Sequence, residues 1–342
     1  MRGATKPKIF LLWLAAFSAI LASTDIGATE ADWVLFKQRF LQPEGRIVDT
    51  GRDGISHSEG QGVAMLLAVH HDDRTAFDTI WQWTRQNLQV RDDKLLAWRW
   101  SPKDGVTDKN NASDGDLFMA WALLRAHRKW QNPDYLSAAT ETIWAIRRQL
   151  LRKTSRGTVL LPGTDGFDKP EGMTINLSYW LFPAIRDIAQ SDPAPEWQEL
   201  QQTGTRLLLE GRSGRWGLPA DWITLGQKMI PASGFPPRFG YDAVRIPLYL
   251  LWDKRETAEL LQPFKDYWGY FKGAGFLPAW ASLTDDSIDS YNASPGIRGI
   301  VQLTLSYPEL YAVRLPALDG AQDYYSAVLL LLAKVMLVER TR

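Results

Sequence analysis

Beyond residue 30, apolar positions recur three and four apart along almost every stretch that carries a pattern at all. This is the period of one face of an α-helix. The spacing predicts helices at about 31–42, 59–71, 74–89, 115–130, 134–151, 176–190, 195–210, 243–252, 256–271, 292–305 and 322–338. In the fourth of these, Leu117, Ala120, Trp121 and Leu124 share one side, and Arg125, Arg128 and Lys129 gather near the C-terminal end. Cations there complement the helix dipole. The two-residue alternation of strands is rare, and short extended pieces are expected only around 94–100 and 157–162.

The connections are rich in Gly, Pro, Asp and Ser, at 51–54, 101–116, 163–172, 211–217 and 231–240. Several are long for structureless loops, and long loops in compact domains are often functional. No low-complexity linker or composition break divides the chain, so a single domain is expected. The helices alternate between short and long connections, which suggests pairs. Periodicity alone does not say whether the pairs close into a ring.

The N-terminus has a different pattern. Arg2, Lys6 and Lys8 precede an apolar run at 9–22, broken only by Ser18, and small residues follow. This reads as a secretory signal, with cleavage between Ala22 and Ala31. We set the boundary at residues 1–28, leaving 29–342 as the mature domain. The run is short for a membrane span, and the alternative is an uncleaved anchor. The mature form is expected in the periplasm or outside the cell, not in a membrane.

Composition narrows the chemistry. Lys plus Arg (39) equals Asp plus Glu (39), so the basic excess of a nucleic-acid binder is missing. There is no cysteine, which excludes disulfides, thiolate metal sites and a Cys nucleophile. His57, His70, His71 and His127 form no spaced metal set, and no G-x-S-x-G elbow or dinucleotide fingerprint occurs. Neither a metal nor a cofactor is expected. The unusual feature is 16 Trp among aromatics that reach 12%. Such rings are core filler, or flat platforms for the C–H faces of sugars.

Three carboxylates stand in Gly-rich loops that run into helices: Glu59 in Ser56-His57-Ser58-Glu59-Gly60-Gln61-Gly62, Asp114 in Ala112-Ser113-Asp114-Gly115-Asp116, and Asp242 in Phe239-Gly240-Tyr241-Asp242-Ala243-Val244-Arg245. Each also has a structural reading. Ser56-x-x-Glu59 fits a capping box, Asp114 an N-cap or Asx-turn, and Asp242 a cap or an ion-pair partner of Arg245. The glycines beside Gln61 permit a close backbone approach. Two carboxyl groups flanking a bond, one protonated and one ionised, are what glycoside hydrolysis requires. The sequence does not give their separation, so retention or inversion stays open on the residues alone.

At these three motifs the chain resembles glycoside hydrolase family 8. The run from Ala112 through Ala126 to Trp130 is similar to the family signature. Ser58-Glu59-Gly60-Gln61-Gly62 resembles the segment of the proton donor, and Tyr241-Asp242-Ala243-Val244-Arg245 that of the general base. Within the family, Ala97-Trp98-Arg99-Trp100, Leu160-Leu161-Pro162-Gly163 and Asn176-Leu177-Ser178-Tyr179 resemble the endoglucanases that accompany bacterial cellulose synthases. The resemblance implies an all-α (α/α)6 barrel of about twelve helices and an inverting endo-β-1,4-glucanase. Glu59 would be the acid, Asp242 the base, and Asp114 would bind the sugar at the reactive subsite. It also implies β-1,4-glucan as substrate, a cellulose synthase complex as a functional partner, and substrate contacts at Trp98, Tyr179, Trp180, Tyr241, Arg245 and Tyr324, with Tyr325 beside them. Val63 and Leu177 depart from the residues common in the family, Tyr and Pro. Chitosan, xylan and mixed-linkage glucan remain alternative substrates, and a non-catalytic glucan-binding factor is the alternative of another class.

Overall fold

A computed structural model describes residues 28–170 and 172–341. The expected signal segment therefore lies outside the described residues, apart from its last position. Eleven α-helices occupy the described residues: α1 (Glu30–Phe40), α2 (Ser58–His70), α3 (Arg74–Asn87), α4 (Ser113–Trp130), α5 (Pro133–Gln149), α6 (Phe182–Ser191), α7 (Pro195–Glu210), α8 (Ile246–Trp252), α9 (Ala258–Tyr270), α10 (Pro295–Ser306) and α11 (Tyr324–Thr341). Each answers to one predicted segment. Their starts follow local chemistry. Thr29 and Asp32 form a capping box, Asp73 and Thr257 each accept from the backbone N–H three residues on, and Asn132-Pro133 and Ser294-Pro295 pair a cap with a first-turn proline. The segment at 176–190 is split. A 3-10 turn at Leu177–Tyr179 precedes α6, which starts one residue before Pro183, where proline is tolerated.

The helices form two concentric rings. Around the inner ring, α2 packs on α4, α4 on α6, α6 on α8, α8 on α10, α10 on α11, and α11 back on α2. Outside them, α3 covers α2, α5 covers α4, α7 covers α6, α9 covers α10, and α1 lies against α11. The sequence shows why each helix takes its layer. In α2 every residue from Gly60 to Val69 is buried, so the helix has no polar face to offer water. In α3 only one stripe is buried, with Ala76, Phe77, Ile80, Trp81, Trp83 and Thr84. The architecture is an (α/α)6 barrel with one departure from the expected twelve helices. The outer position between α10 and α11 holds two 3-10 turns, Leu310–Ala312 and Leu318–Gly320. Pro308, Pro316 and Gly320 interrupt any periodic run there.

Short strands decorate the loops. Those at Arg99–Ser101 and Gly157–Leu160 answer to the expected extended pieces. A four-stranded antiparallel sheet from Asp168–Lys169, Gly172–Ile175, Ile223–Leu225 and Met229–Pro231 was not expected. Strands of two to four residues carry too little alternation to be read. Among the described residues no helix is long and apolar enough to cross a membrane.

Helices α2 and α4 approach each other closely. A Cβ on Gly62 would lie 2.7 Å from Cβ of Phe118 and 2.9 Å from the Met119 nitrogen; one on Gly115 would lie 2.2 Å from Ser58 Oγ and 2.7 Å from the Glu59 nitrogen. The glycine beside Gln61 thus serves helix contact. Gly269, in the outer helix α9, has open space where a Cβ would go. Replacing Gly62 by Ala is expected to cost about 1–3 kcal/mol in urea unfolding, as overpacking does. Gly269→Ala is expected to be neutral or to stabilise by about 0.5–1 kcal/mol. Equal effects at the two positions would contradict this account of the interface.

Candidate active site

Three segments far apart in the chain meet at one end of the barrel. Glu59 stands in the first turn of α2 and Asp114 in the first turn of α4. Asp242 and Arg245 flank the 3-10 turn Ala243–Arg245 that leads into α8. Three residues per 3-10 turn bring positions 242 and 245 to the same side. Inner helices therefore point their N-termini, the positive ends of their dipoles, at a group of acids.

Arg245 organises the group. Its Nη1 donates to Glu59 Oε1 at 2.5 Å and lies 3.6 Å from Asp114 Oδ2. Its Nη2 donates to Asp242 Oδ1 at 2.7 Å and to Ser178 Oγ at 3.0 Å, and its Nε donates to the Asp242 carbonyl at 3.3 Å. The ring of Tyr179 lies 5.9 Å from the guanidinium. The arrangement is layered. The side chains of Glu59 and Asp242 are each 27% exposed, while Arg245 and Asp114 beneath them are 4% exposed. Glu59 and Asp242 take different nitrogens of one guanidinium, which stands between them.

Burial sets the electrostatics. It pushes the Asp114 carboxyl well above its usual range, the charge of Glu59 adds to this, and Arg245 opposes it. Burial also raises Asp242, again against Arg245. Asp114 accepts the Gly115 N–H at 2.8 Å, its neighbour's and not a helix cap's. The capping-box reading of Ser56 and Glu59 does not hold. His57 is the N-cap of α2, accepting the Gly60 N–H on Nδ1 at 3.0 Å, and Ser56 Oγ donates to the Ile47 carbonyl. Glu59 is thereby free to face Arg245.

The expected substrate contacts divide. Trp98 is half-buried beside the acid. Its carbonyl accepts the Ser58 N–H at 3.1 Å, and its indole donates to Asp108 Oδ2 at 2.7 Å. Tyr241 is half-buried next to Asp242, with its hydroxyl on Tyr291 and its ring 5.1 Å from the Arg238 guanidinium. Tyr325 donates to the Tyr241 carbonyl at 2.5 Å. The Tyr324 ring is buried edge-on against His57, and its unpartnered hydroxyl lies against Gly60. Trp180 is a core residue and not a subsite platform. It is 1% exposed, its indole donates to the Leu200 carbonyl, and its ring fills the space that Gly204 of α7 leaves open.

Two supporting carboxylates were not singled out in the sequence. Asp221 is buried, and its Oδ1 accepts the N–H groups of Gly240 (2.9 Å), Asp242 (3.2 Å) and Ala243 (2.9 Å), fixing the loop that presents Asp242. Burial pushes it up to about 6, with the Asp242 charge adding. Its signal is a lone acid inside the apolar run Leu218-Pro219-Ala220-Asp221-Trp222-Ile223. Asp116, pushed up to about 7 by burial, accepts from the Leu96 nitrogen and from Asn111 Nδ2, both at 2.8 Å. It anchors the segment that ends in Trp98. The surface also has a hollow of about 680 Å³ lined by Trp81, Arg85 and Gln86, but it lies on the outer face and gathers none of these acids.

The model of the family "Glycosyl hydrolases family 8" matches residues 4–340. A probable endoglucanase of Novacetimonas hansenii is 40% identical over 319 residues, covering 92% of each chain. Among solved structures, the endo-β-1,4-glucanase CMCax of Acetobacter xylinum superposes with a TM-score of 0.87 at 40% identity, over 93% of this chain and 99% of that one. The endoglucanase Cel10 of Klebsiella pneumoniae does so with 0.86 at 38% identity, over 91% and 100%. With one family model spanning nearly its whole length, the chain belongs to glycosyl hydrolase family 8.

Proposed function

We propose that this chain is an inverting endo-β-1,4-glucanase in which Glu59 is the general acid and Asp242 the general base. The observation that carries the reading is the single guanidinium of Arg245, which ties together acids 183 positions apart in sequence, from 59 to 242, with the outer two open to solvent. The endoglucanases at 38–40% identity support β-1,4-glucan as the substrate class.

In this mechanism a glucan chain lies across the exposed edge of Glu59 and Asp242. Glu59 turns from Arg245 to the glycosidic oxygen and gives it a proton. Asp242 removes a proton from a water, whose oxygen forms the new bond to C1 as the bond to the leaving sugar breaks. Inversion needs roughly 6.5–9.5 Å between the carboxyls to admit that water. Asp114, buried and with a raised pKa, binds the sugar in the reactive subsite. Trp98, Tyr179 and Tyr241 supply ring faces and hydroxyls around it. Arg245 keeps Asp242 turned toward the water while also holding Glu59 and Ser178, a set of fixed donor directions that lysine does not reproduce.

We further infer that the enzyme is exported by residues 1–28 and acts in the periplasm or outside the cell, on glucan made by a cellulose synthase. The basic start and apolar run at 9–22 motivate the export.

Glu59→Gln is expected to lower turnover of carboxymethyl cellulose about 10²–10⁴-fold while binding to the polymer survives. Near-normal turnover would remove the acid assignment, and faster hydrolysis of chitosan, xylan or barley glucan by the native chain would reassign the substrate. Fresh cello-oligosaccharide product followed by NMR should appear as the α-anomer; a β-anomer would overturn inversion. The base works ionised, so a raised pKa moves its loss of activity upward. The acidic limb of kcat/KM should therefore lie above the 3.8 of an ordinary aspartate, and a limb at or below that value would count against Asp242 as base. Fractionation of cells making the whole chain should find it shortened and outside the cytoplasm, whereas a full-length cytoplasmic product would refute export.

A further inference from the structure

Asn176 stands in a segment whose role the mechanism above leaves open. It is fully buried, as is Ser178 two residues on. The Asn176 Oδ1 accepts the Ser178 N–H at 3.0 Å and the Ser178 hydroxyl at 2.7 Å. The Ser178 oxygen in turn accepts from Arg245 Nη2 at 3.0 Å, and the same nitrogen donates to Asp242 Oδ1.

The directions in this circuit are fixed by what each group is able to do. A guanidinium only donates, so Ser178 Oγ accepts from Arg245 and spends its one hydrogen on Asn176. A backbone N–H also only donates, so the amide atom facing Ser178 is the oxygen. The Asn176 NH2 must therefore point the other way. That nitrogen is buried without a well-formed hydrogen bond, and the acid it faces is Asp242, whose ionised form it favours. A buried donor without a close partner is costly, so its presence calls for a use.

We propose that Asn176 is a positioning residue for the water-activating carboxylate. Its amide, locked in one orientation by Ser178 and Arg245, turns one N–H to Asp242 and the other to the water that Asp242 deprotonates. The proposal rests on Asp242 being the base. The other groups that bear on Asp242 are Arg245 and Glu59, Arg52, Asp221, Asp114, Tyr179, Tyr249 and Tyr325. Asn176 differs from them in offering an amide N–H, neither a charge nor a hydroxyl, on the side of the amide turned away from Ser178.

The test compares three variants on cellohexaose. Asn176→Ala should lower kcat roughly 10- to 100-fold, leave KM within about twofold, and move the acidic limb of kcat/KM up by about half a pH unit, because a donor to the ionised base has gone. Ser178→Ala keeps the amide and its bond from the residue 178 N–H but removes the hydroxyl that ties it to Arg245. It should shift the limb in the same direction by less, and it serves as the readout if Asn176→Ala does not fold. The double variant should be no worse than Asn176→Ala, since both changes break one circuit. A purely structural role would lower the melting temperature and leave the limb in place, and an unmoved limb in the folded variants overturns the proposal. Asp242→Ala with added azide isolates the premise. Azide should attack C1 from the base side, forming the C–N bond as the glycosidic C–O bond breaks and Glu59 protonates the leaving oxygen, to give the α-glycosyl azide. If that product forms and the limb of the folded Asn176 variant is unmoved, only the proposal fails. If it does not form, the base assignment fails and takes the proposal with it.

Discussion

A guanidinium that is 4% exposed lies within 3.6 Å of three carboxylates from three separate segments, and the rest of the molecule can be understood as the means of holding it there. Charges taken out of water are costly unless paired and hydrogen-bonded. Arg245 satisfies its partners in pairs, yet one positive charge does not balance three negative ones. The inner-helix N-termini add partial positive charge from beneath. Burial does the remainder by favouring the protonated form of Asp114, the most enclosed of the acids. The outcome is a graded site, with acids open to a substrate above and a reluctant one below. That gradient sets Asp114, the sugar-binding acid of the proposed mechanism, apart from the two carboxyl groups that face the substrate.

The barrel reaches this arrangement by bringing backbones unusually close. At Gly115 the α4 backbone lies under Ser58 and Glu59 of α2, and at Gly62 the α2 backbone lies against Phe118 and Met119 of α4. A methyl group at either place would separate the two helices that carry Glu59 and Asp114. The same residues therefore serve both stability and chemistry. Asp221 does for the base what the glycines do for the acid. Three N–H groups converging on its Oδ1 leave the 240–243 loop little freedom to present Asp242 otherwise.

Much of this was legible in the sequence because the helices are long and their burial is periodic. Which helices form the inner ring, such as the wholly buried α2, and which the outer, such as the striped α3, was not read from that spacing. The three acid motifs were legible as loops that run into helices. What escaped reading depended on contacts between distant segments. Trp180 was expected as a substrate contact from the family resemblance, but the small Gly204 on α7 gives its ring a place in the core. Ser56 matched a capping pattern by spacing, while the actual helix start two residues later handed the cap to His57. Asp221 belongs to no motif, and its three partners lie about twenty residues further along.

The outer position left without a helix shows how tolerant the outer wall can be. There Arg39 of α1 reaches across to the carbonyl oxygens of Leu318 (3.5 Å) and Ala321 (3.1 Å). Those are main-chain atoms, which any residue would supply. These bonds ask nothing of the side chains at 318 and 321; what constrains the spelling there is burial, which keeps Leu310, Val313, Leu318 and Ala321 in the core.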